Sequence, residues 1–257
     1  MIEFTRKPRY DFADFVEVVR LLRSEDGCPW DRVQTHQSIR RNFLEETYEC
    51  CEAIDLDDQT LMQEELGDVM MQVIFHAGIE ADRGRFTLDD VCDGAVKKLV
   101  FRHPNVFGPK TEQTWEDMKQ LEKGQTTGAS TLDAVARSLP SLWRAEKLVT
   151  KAEKAGFFWP DQAGRMENLK SEVQELEKAL HEGSNVEEEL GDVLFSAVCL
   201  AAQSQKDPEK ALHGACEKFI RRFTAMEQAA EAQGRSLAQY TPAEQLALWQ
   251  AAKHCDT

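Results

Sequence analysis

EELGDV stands at Glu64–Val69 and again at Glu188–Val193, and this repetition decides how the chain is built. The flanks repeat as well. FLEETYECCEAI (Phe43–Ile54) precedes the first copy and LKSEVQELEKAL (Leu169–Leu180) precedes the second. Downstream, Lys98 and Arg102 are echoed at the same spacing by Lys218 and Arg222, and Trp115 and Lys119 by Trp249 and Lys253. Two copies of one unit follow: residues 1–121, a linker over 122–140, and residues 141–257. EKGQTTGAST supplies the linker with Gly, Thr and Ser ahead of Pro140.

The period of the apolar residues says helix. Met166, Leu169, Val173, Leu176 and Leu180 step by three and four, and so do Leu190, Val193, Leu194, Ala197 and Ala201. The link between these two helices, HEGSN (His181–Asn185), is short, so they pack antiparallel. S-x-x-E at Ser184 and Glu187 reads as a capping box, and Thr60 with Gln63 reads as its counterpart. These caps place Glu65 and Glu189 alike, just beyond the first turn. Long alternating strand patterns are absent. The expected fold is all-α, two tandem copies of one helical bundle.

Glu189 and Asp192 are three residues apart, as are Glu65 and Asp68. Such a pair lies about 60° apart around a helix and about 4.5 Å along it, so both carboxylates share a face. Glu172/Glu175 and Glu46/Glu49 form matching pairs on the preceding helices, and an antiparallel hairpin lets each set of four converge. At about 5 Å and an effective dielectric near 20, each contact costs roughly 3 kcal/mol. A proton or a cation must offset that. All-oxygen ligands select Mg²⁺, with Mn²⁺ as a substitute, over zinc. A di-iron bundle would require Glu-x-x-His, and none of the six histidines has a Glu three residues before it. Acids in a first helical turn also complement the helix dipole, which is the plainer reading of Glu187 and Glu188 alone.

The overall charge narrows the partners. Lys and Arg number 31 against 46 Asp and Glu, a net −15, and that field repels nucleic-acid polymers and anionic membranes. A phosphate ligand therefore needs a local basic cluster. EKFIRRF (Glu217–Phe223) supplies one, with Lys218 and Arg222 one turn apart. Trp249 with Lys253 can pack on a base or ribose beside another phosphate contact. CPWD (28–31) and FFWPD (157–161) read as structural turns leading into the carboxylate helices. Seven cysteines without a C-x-x-C suit a reducing compartment. The opening MIEFTRKPRYDFADF carries acids early and lacks the apolar segment of a signal peptide, and no stretch reaches membrane-span length. A cytoplasmic protein is expected.

Together, the paired E-x-x-E and E-x-x-D helices in two copies, with K-x-x-x-R and W-x-x-x-K downstream, resemble the MazG family of all-α nucleoside triphosphate pyrophosphohydrolases. The likeness runs from about Phe12 to Lys253 and includes GCPWD (27–31), LEETYE (44–49), RHPNVFG (102–108), RSLPSLWRAEK (137–147) and GFFWPD (156–161). What it implies is hydrolysis of nucleoside triphosphates between the α- and β-phosphates, to monophosphate and pyrophosphate. It also implies a homodimer, with main activity in the C-terminal copy. On that resemblance Glu172, Glu175, Glu189 and Asp192 hold Mg²⁺, Lys218 and Arg222 clamp phosphates, and Asn168, Trp249 and Lys253 complete the nucleotide site. Glu175 or Glu188 would orient or deprotonate the attacking water. Glu46, Glu49, Glu65 and Asp68, with Lys98, Arg102, Trp115 and Lys119, form the secondary set. The C-terminal copy departs from the family pattern, having Ser171 where a Glu is expected and Asn168 and Asn185 where lysines are expected, while Glu45, Glu46 and Glu49 keep the full E-E-x-x-E. The alternative reading, favoured by those departures, is a helical scaffold or regulator that binds nucleotide without turnover.

Overall fold

A computed structural model describes residues 2–124, 127–157 and 162–254. Of FFWPD, Phe158–Asp161 fall outside the described residues. Every regular element among the described residues is helical, as expected. The chain divides into two compact units, Met1–Met118 and Lys119–Thr257.

The first unit contains α1 (Phe12–Arg23), α2 (Pro29–Arg32), α3 (His36–Leu56), α4 (Gln59–Asp82), α5 (Leu88–Arg102) and α6 (Pro104–Phe107), and α7 (Trp115–Glu122) crosses the division. Its frame is the antiparallel hairpin α3–α4, with α1 and α5 packed on α4. The core joins Val19 of α1, Ile39 of α3 and Ile74, Phe75 and Ile79 of α4. Between α1 and α2 the chain turns so tightly that a Cβ at Gly27 would stand 2.3 Å from the Leu21 carbonyl oxygen, closer than any side chain can come. That turn delivers CPWD, whose Trp30 is exposed. Pro104 stops α5, because proline cannot continue the hydrogen-bond ladder.

The second unit contains α8 (Gly128–Asp133), α9 (Ser141–Lys154), α10 (Gln162–Glu182), α11 (Val186–Gln203), α12 (Pro208–Glu231) and α13 (Pro242–His254). The stretch read as linker is therefore partly helical, with α8 packed on α9. The hairpin α10–α11 repeats α3–α4, and α9 and α12 pack on α11 much as α1 and α5 pack on α4.

Two local readings need correction. The caps are Asp58, whose side chain accepts from the Thr60 and Leu61 amides, and Asn185, which adopts a left-handed conformation (φ 57°) and makes no side-chain cap bond. Thr60 thus sits inside α4, and Ser184 lies ahead of the cap. Because the two helices start at different distances from EELGDV, Glu65 lies in the second turn of its helix and Glu189 in the first. The apolar stripes also differ in their role. Leu180, Leu190 and Leu194 are 61%, 47% and 52% exposed, whereas the interior of α11 is Ser196, Val198 and Cys199. The most buried side of α11 is therefore rotated from the predicted stripe, of which Val193 and Ala201 stay half-buried, as do Leu169 and Leu176 of the α10 stripe.

Where α3 begins and α4 ends, a polar network crosses unit 1. His36 Nε2 donates to Glu80 Oε1 at 2.7 Å, and Arg83 and Arg85 donate to the same carboxylate. The Nδ1 atoms of His36 and His76 are 2.6 Å apart. One of these two nitrogens carries the proton between them, and the buried Nε2 of His76 has no hydrogen-bond partner among the described residues. The His36 hydrogen bond, with help from Arg83 and Arg85, lowers the Glu80 carboxyl from 4.5 to about 2. A carboxyl depressed by folding stabilises the native state above its unfolded pKa, and that contribution is lost as pH falls through the folded value. Stability is therefore expected to decline between about pH 4.5 and 2, and Glu80→Gln to flatten that limb in acid titrations followed by circular dichroism. A Glu80→Gln protein with the parental acid limb would remove Glu80 from this role.

Candidate active site

Each hairpin brings carboxylates from its two helices together. In unit 1, one oxygen each from Glu46 and Glu49 of α3 and Glu65 of α4 lie within 4.8 Å of one another. The unit 2 group, equally close, is Glu172 of α10 with Glu189 and Asp192 of α11. Of the two expected quartets, each hairpin gathers three members. Asp68 stands outside the first trio and Glu175 outside the second, although both still act on it through space.

That action is visible in the protonation equilibria. Burial raises the Glu65 carboxyl above the ordinary range, and Glu49, Asp68 and Glu64 add to it. Glu46 is raised by burial and then by Asp68, Glu49 and Glu65. In unit 2, burial raises Glu189, followed by Glu175, Asp192, Glu188 and Glu172. Clusters of acids that resist ionising together are poised to accept a cation or a proton. The donor set is carboxylate oxygen throughout, which suits a hard divalent ion such as Mg²⁺ or Mn²⁺.

Hydrogen bonds tune the unit 2 trio in ways not anticipated from sequence. Asn168 donates from Nδ2 to Ser196 Oγ at 2.8 Å and to Glu172 Oε1 at 3.2 Å. The Asn168 amide, expected at the nucleotide, is thus directed at a carboxylate of the cluster. Ser171 Oγ donates to Glu175 Oε1 at 3.2 Å. Both contacts to glutamate span one helical turn, so the spacing was legible. Ser196, buried on α11, carried no signal. Glu188 is exposed in the first turn of α11.

The basic and aromatic residues assemble on α12 and α13. The Arg222 guanidinium lies 5.9 Å from the Trp249 ring centroid, and Phe219 meets the same ring at 5.2 Å. Lys218 and Lys253 are exposed and, among the described residues, neither has an ion-pair partner. Trp249 is half-buried, with Phe219 and Arg222 against its ring. α12 packs on α11, the helix that carries Glu189 and Asp192. In unit 1 the arrangement is partly repeated. Arg102 lies over Trp115 at 5.2 Å but is buried, while Lys98 is exposed. Lys119 follows Trp115 by one turn of α7.

Comparison with known proteins agrees with this duplication. The model of the MazG nucleotide pyrophosphohydrolase domain matches residues 34–107 and 162–225, which contain both carboxylate hairpins. The chain is 41% identical over 249 residues to the nucleoside triphosphate pyrophosphohydrolase/pyrophosphatase MazG of Thermotoga maritima, covering 95% of this chain and 96% of that protein. It is 38% identical over 226 residues to the nucleoside triphosphate pyrophosphohydrolase of Escherichia coli, covering 84% and 86%. A third relative, the uncharacterized protein YabN of Bacillus subtilis, is 41% identical over 258 residues, and the match spans 52% of that longer protein.

Proposed function

The chain belongs to the MazG nucleotide pyrophosphohydrolase family, and from that premise we propose that it hydrolyses nucleoside triphosphates between the α- and β-phosphates. The products are the monophosphate and pyrophosphate. The observation that carries this reading is the trio Glu172, Glu189 and Asp192, with oxygens within 4.8 Å, on a hairpin whose neighbour presents Lys218 and Arg222.

Glu172, Glu189 and Asp192 would hold Mg²⁺ in unit 2, with Glu175 at the margin, and Glu46, Glu49 and Glu65 would hold it in unit 1, with Asp68 at the margin. When bound, such an ion neutralises charge on phosphate oxygens and lowers the pKa of water. The protein's own residues do the rest. Lys218 and Arg222 clamp the phosphate chain, an ammonium and a guanidinium one turn apart. Trp249 offers its face to the base or ribose, and Lys253 adds a second phosphate contact. A carboxylate beside the trio, Glu175 or Glu188, accepts the proton of the attacking water. Unit 2 carries the main activity, because its Arg222 is half-buried where the equivalent Arg102 is buried.

The test is to incubate the protein with Mg²⁺ and mixed ribo- and deoxyribonucleoside triphosphates and identify the products. Monophosphate and pyrophosphate are expected. Diphosphate and orthophosphate would show that another bond is cut. No turnover by folded protein with either Mg²⁺ or Mn²⁺ would favour the non-catalytic reading.

A further inference from the structure

We infer that Ser171 makes the two carboxylate clusters unequal, by holding Glu175 away from the cation position of unit 2. The inference rests on the cation reading given above. It begins from the chain's internal comparison, because Ser171 occupies in α10 the place that Glu45 occupies in α3.

The two residues turn in opposite directions. Glu45 reaches back one turn, accepting from Arg41 Nε at 2.9 Å, and Glu49, one turn ahead, joins Glu46 and Glu65. In α10 the place of Arg41 is taken by Glu167, which pairs with Lys170 at 3.4 Å. Position 171 therefore has no cation behind it. Ser171 turns forward and donates to Glu175 Oε1 at 3.2 Å. Glu175 stands outside the trio, and Asp192 of α11 takes the third place.

A second contact acts in the same sense. Asn168 holds Oε1 of Glu172 while anchored to Ser196. The equivalent Asn42 makes no such bond to Glu46 or to Gln72, the counterpart of Ser196, among the described residues. An entering cation competes with donors already on Glu172 and Glu175 in unit 2. No serine stands in that way in unit 1. Unit 1 is therefore the tighter cation site and unit 2 the weaker one, with Ser171 as a positioning residue acting through Glu175.

The experiment titrates the full chain with Mn²⁺, without nucleotide, and reads free ion by electron paramagnetic resonance. Glu65→Gln leaves unit 2 as the site read, and Glu189→Gln leaves unit 1. In the Glu65→Gln background, Ser171→Ala is expected to tighten Mn²⁺ about fivefold, the worth of one ordinary hydrogen bond. Ser171→Thr, which keeps the hydroxyl, should retain the weaker constant. In the Glu189→Gln background, Ser171→Ala should change nothing. Position 171 is exposed and alanine favours helix, so circular dichroism should be unaltered. Mn²⁺ binding in both backgrounds with no tightening by Ser171→Ala, or with equal tightening in both, would overturn the inference and leave the cation reading standing. No Mn²⁺ binding in either background would overturn the cation reading itself.

Discussion

Glu189→Ala is expected to reduce nucleoside triphosphate turnover by more than about a hundredfold while leaving the fold intact. The loss should exceed that of an outer partner of a metal site, which is on the order of ten- to a hundredfold. Glu189 is the half-buried member of α11 whose oxygens approach both Glu172 and Asp192. Burial and four neighbouring acids raise its carboxyl, so the native protein without cation holds it at a cost. Alanine removes that cost together with the ligand. Turnover should therefore collapse while the melting temperature without Mg²⁺ stays level or rises, a combination that misfolding cannot produce. Glu65→Ala, which removes the equivalent acid of unit 1, should lower turnover less. Parental turnover in Glu189→Ala would refute the assignment, and collapse confined to Glu65→Ala would move the main activity to unit 1.

Arg165→Ala is expected to destabilise unit 2 by about 3 kcal/mol, since it leaves a buried carbonyl unpaired and removes a charge-assisted hydrogen bond to half-buried Glu153. Arg165 is 5% exposed and ties three helices together. From α10 it donates to Glu153 of α9 through Nη2 and to the Cys199 carbonyl of α11 through Nη1. Alanine strands an acid and a buried carbonyl at once, and also removes the alkyl stem that fills the space between them. The urea midpoint of the variant should drop accordingly. Lysine should recover only part of the loss, because one ammonium cannot serve two partners in different directions. A variant with the parental midpoint would show that water replaces the guanidinium at no cost.

Legibility differed from residue to residue. Glu172, Glu175, Glu189 and Asp192 could be named from spacing because three residues of helix place two side chains on one face whatever surrounds them. The Ser171–Glu175 contact belongs to the same class, being one turn apart on a single helix. The helices start elsewhere than the capping-box pattern at Ser184 and Thr60 indicates: Asp58 caps α4 through its side chain, and Asn185 precedes α11 without a side-chain cap bond. A cap is chosen by the conformation of the connecting turn, and two left-handed residues, Gly183 and Asn185, set that turn in unit 2. The stripes ending in Leu180 on α10 and starting at Leu190 on α11 are periodic as helices require, yet periodicity reports an apolar face without saying what covers it.

The sequence by itself determined that the chain is helical, that it is duplicated, and that each copy pairs acids on consecutive helices with a basic and aromatic set downstream. These are properties of local spacing, and helical geometry converts spacing into a shared face without further information. Only the tertiary structure decided which three of four carboxylates converge, that Asn168 turns to Ser196, and that His36 meets Glu80 across the open end of the hairpin. Those contacts join residues 28 to 44 positions apart. They depend on how far one helix slides and rotates against the next, which is settled by packing and by the turn that joins them.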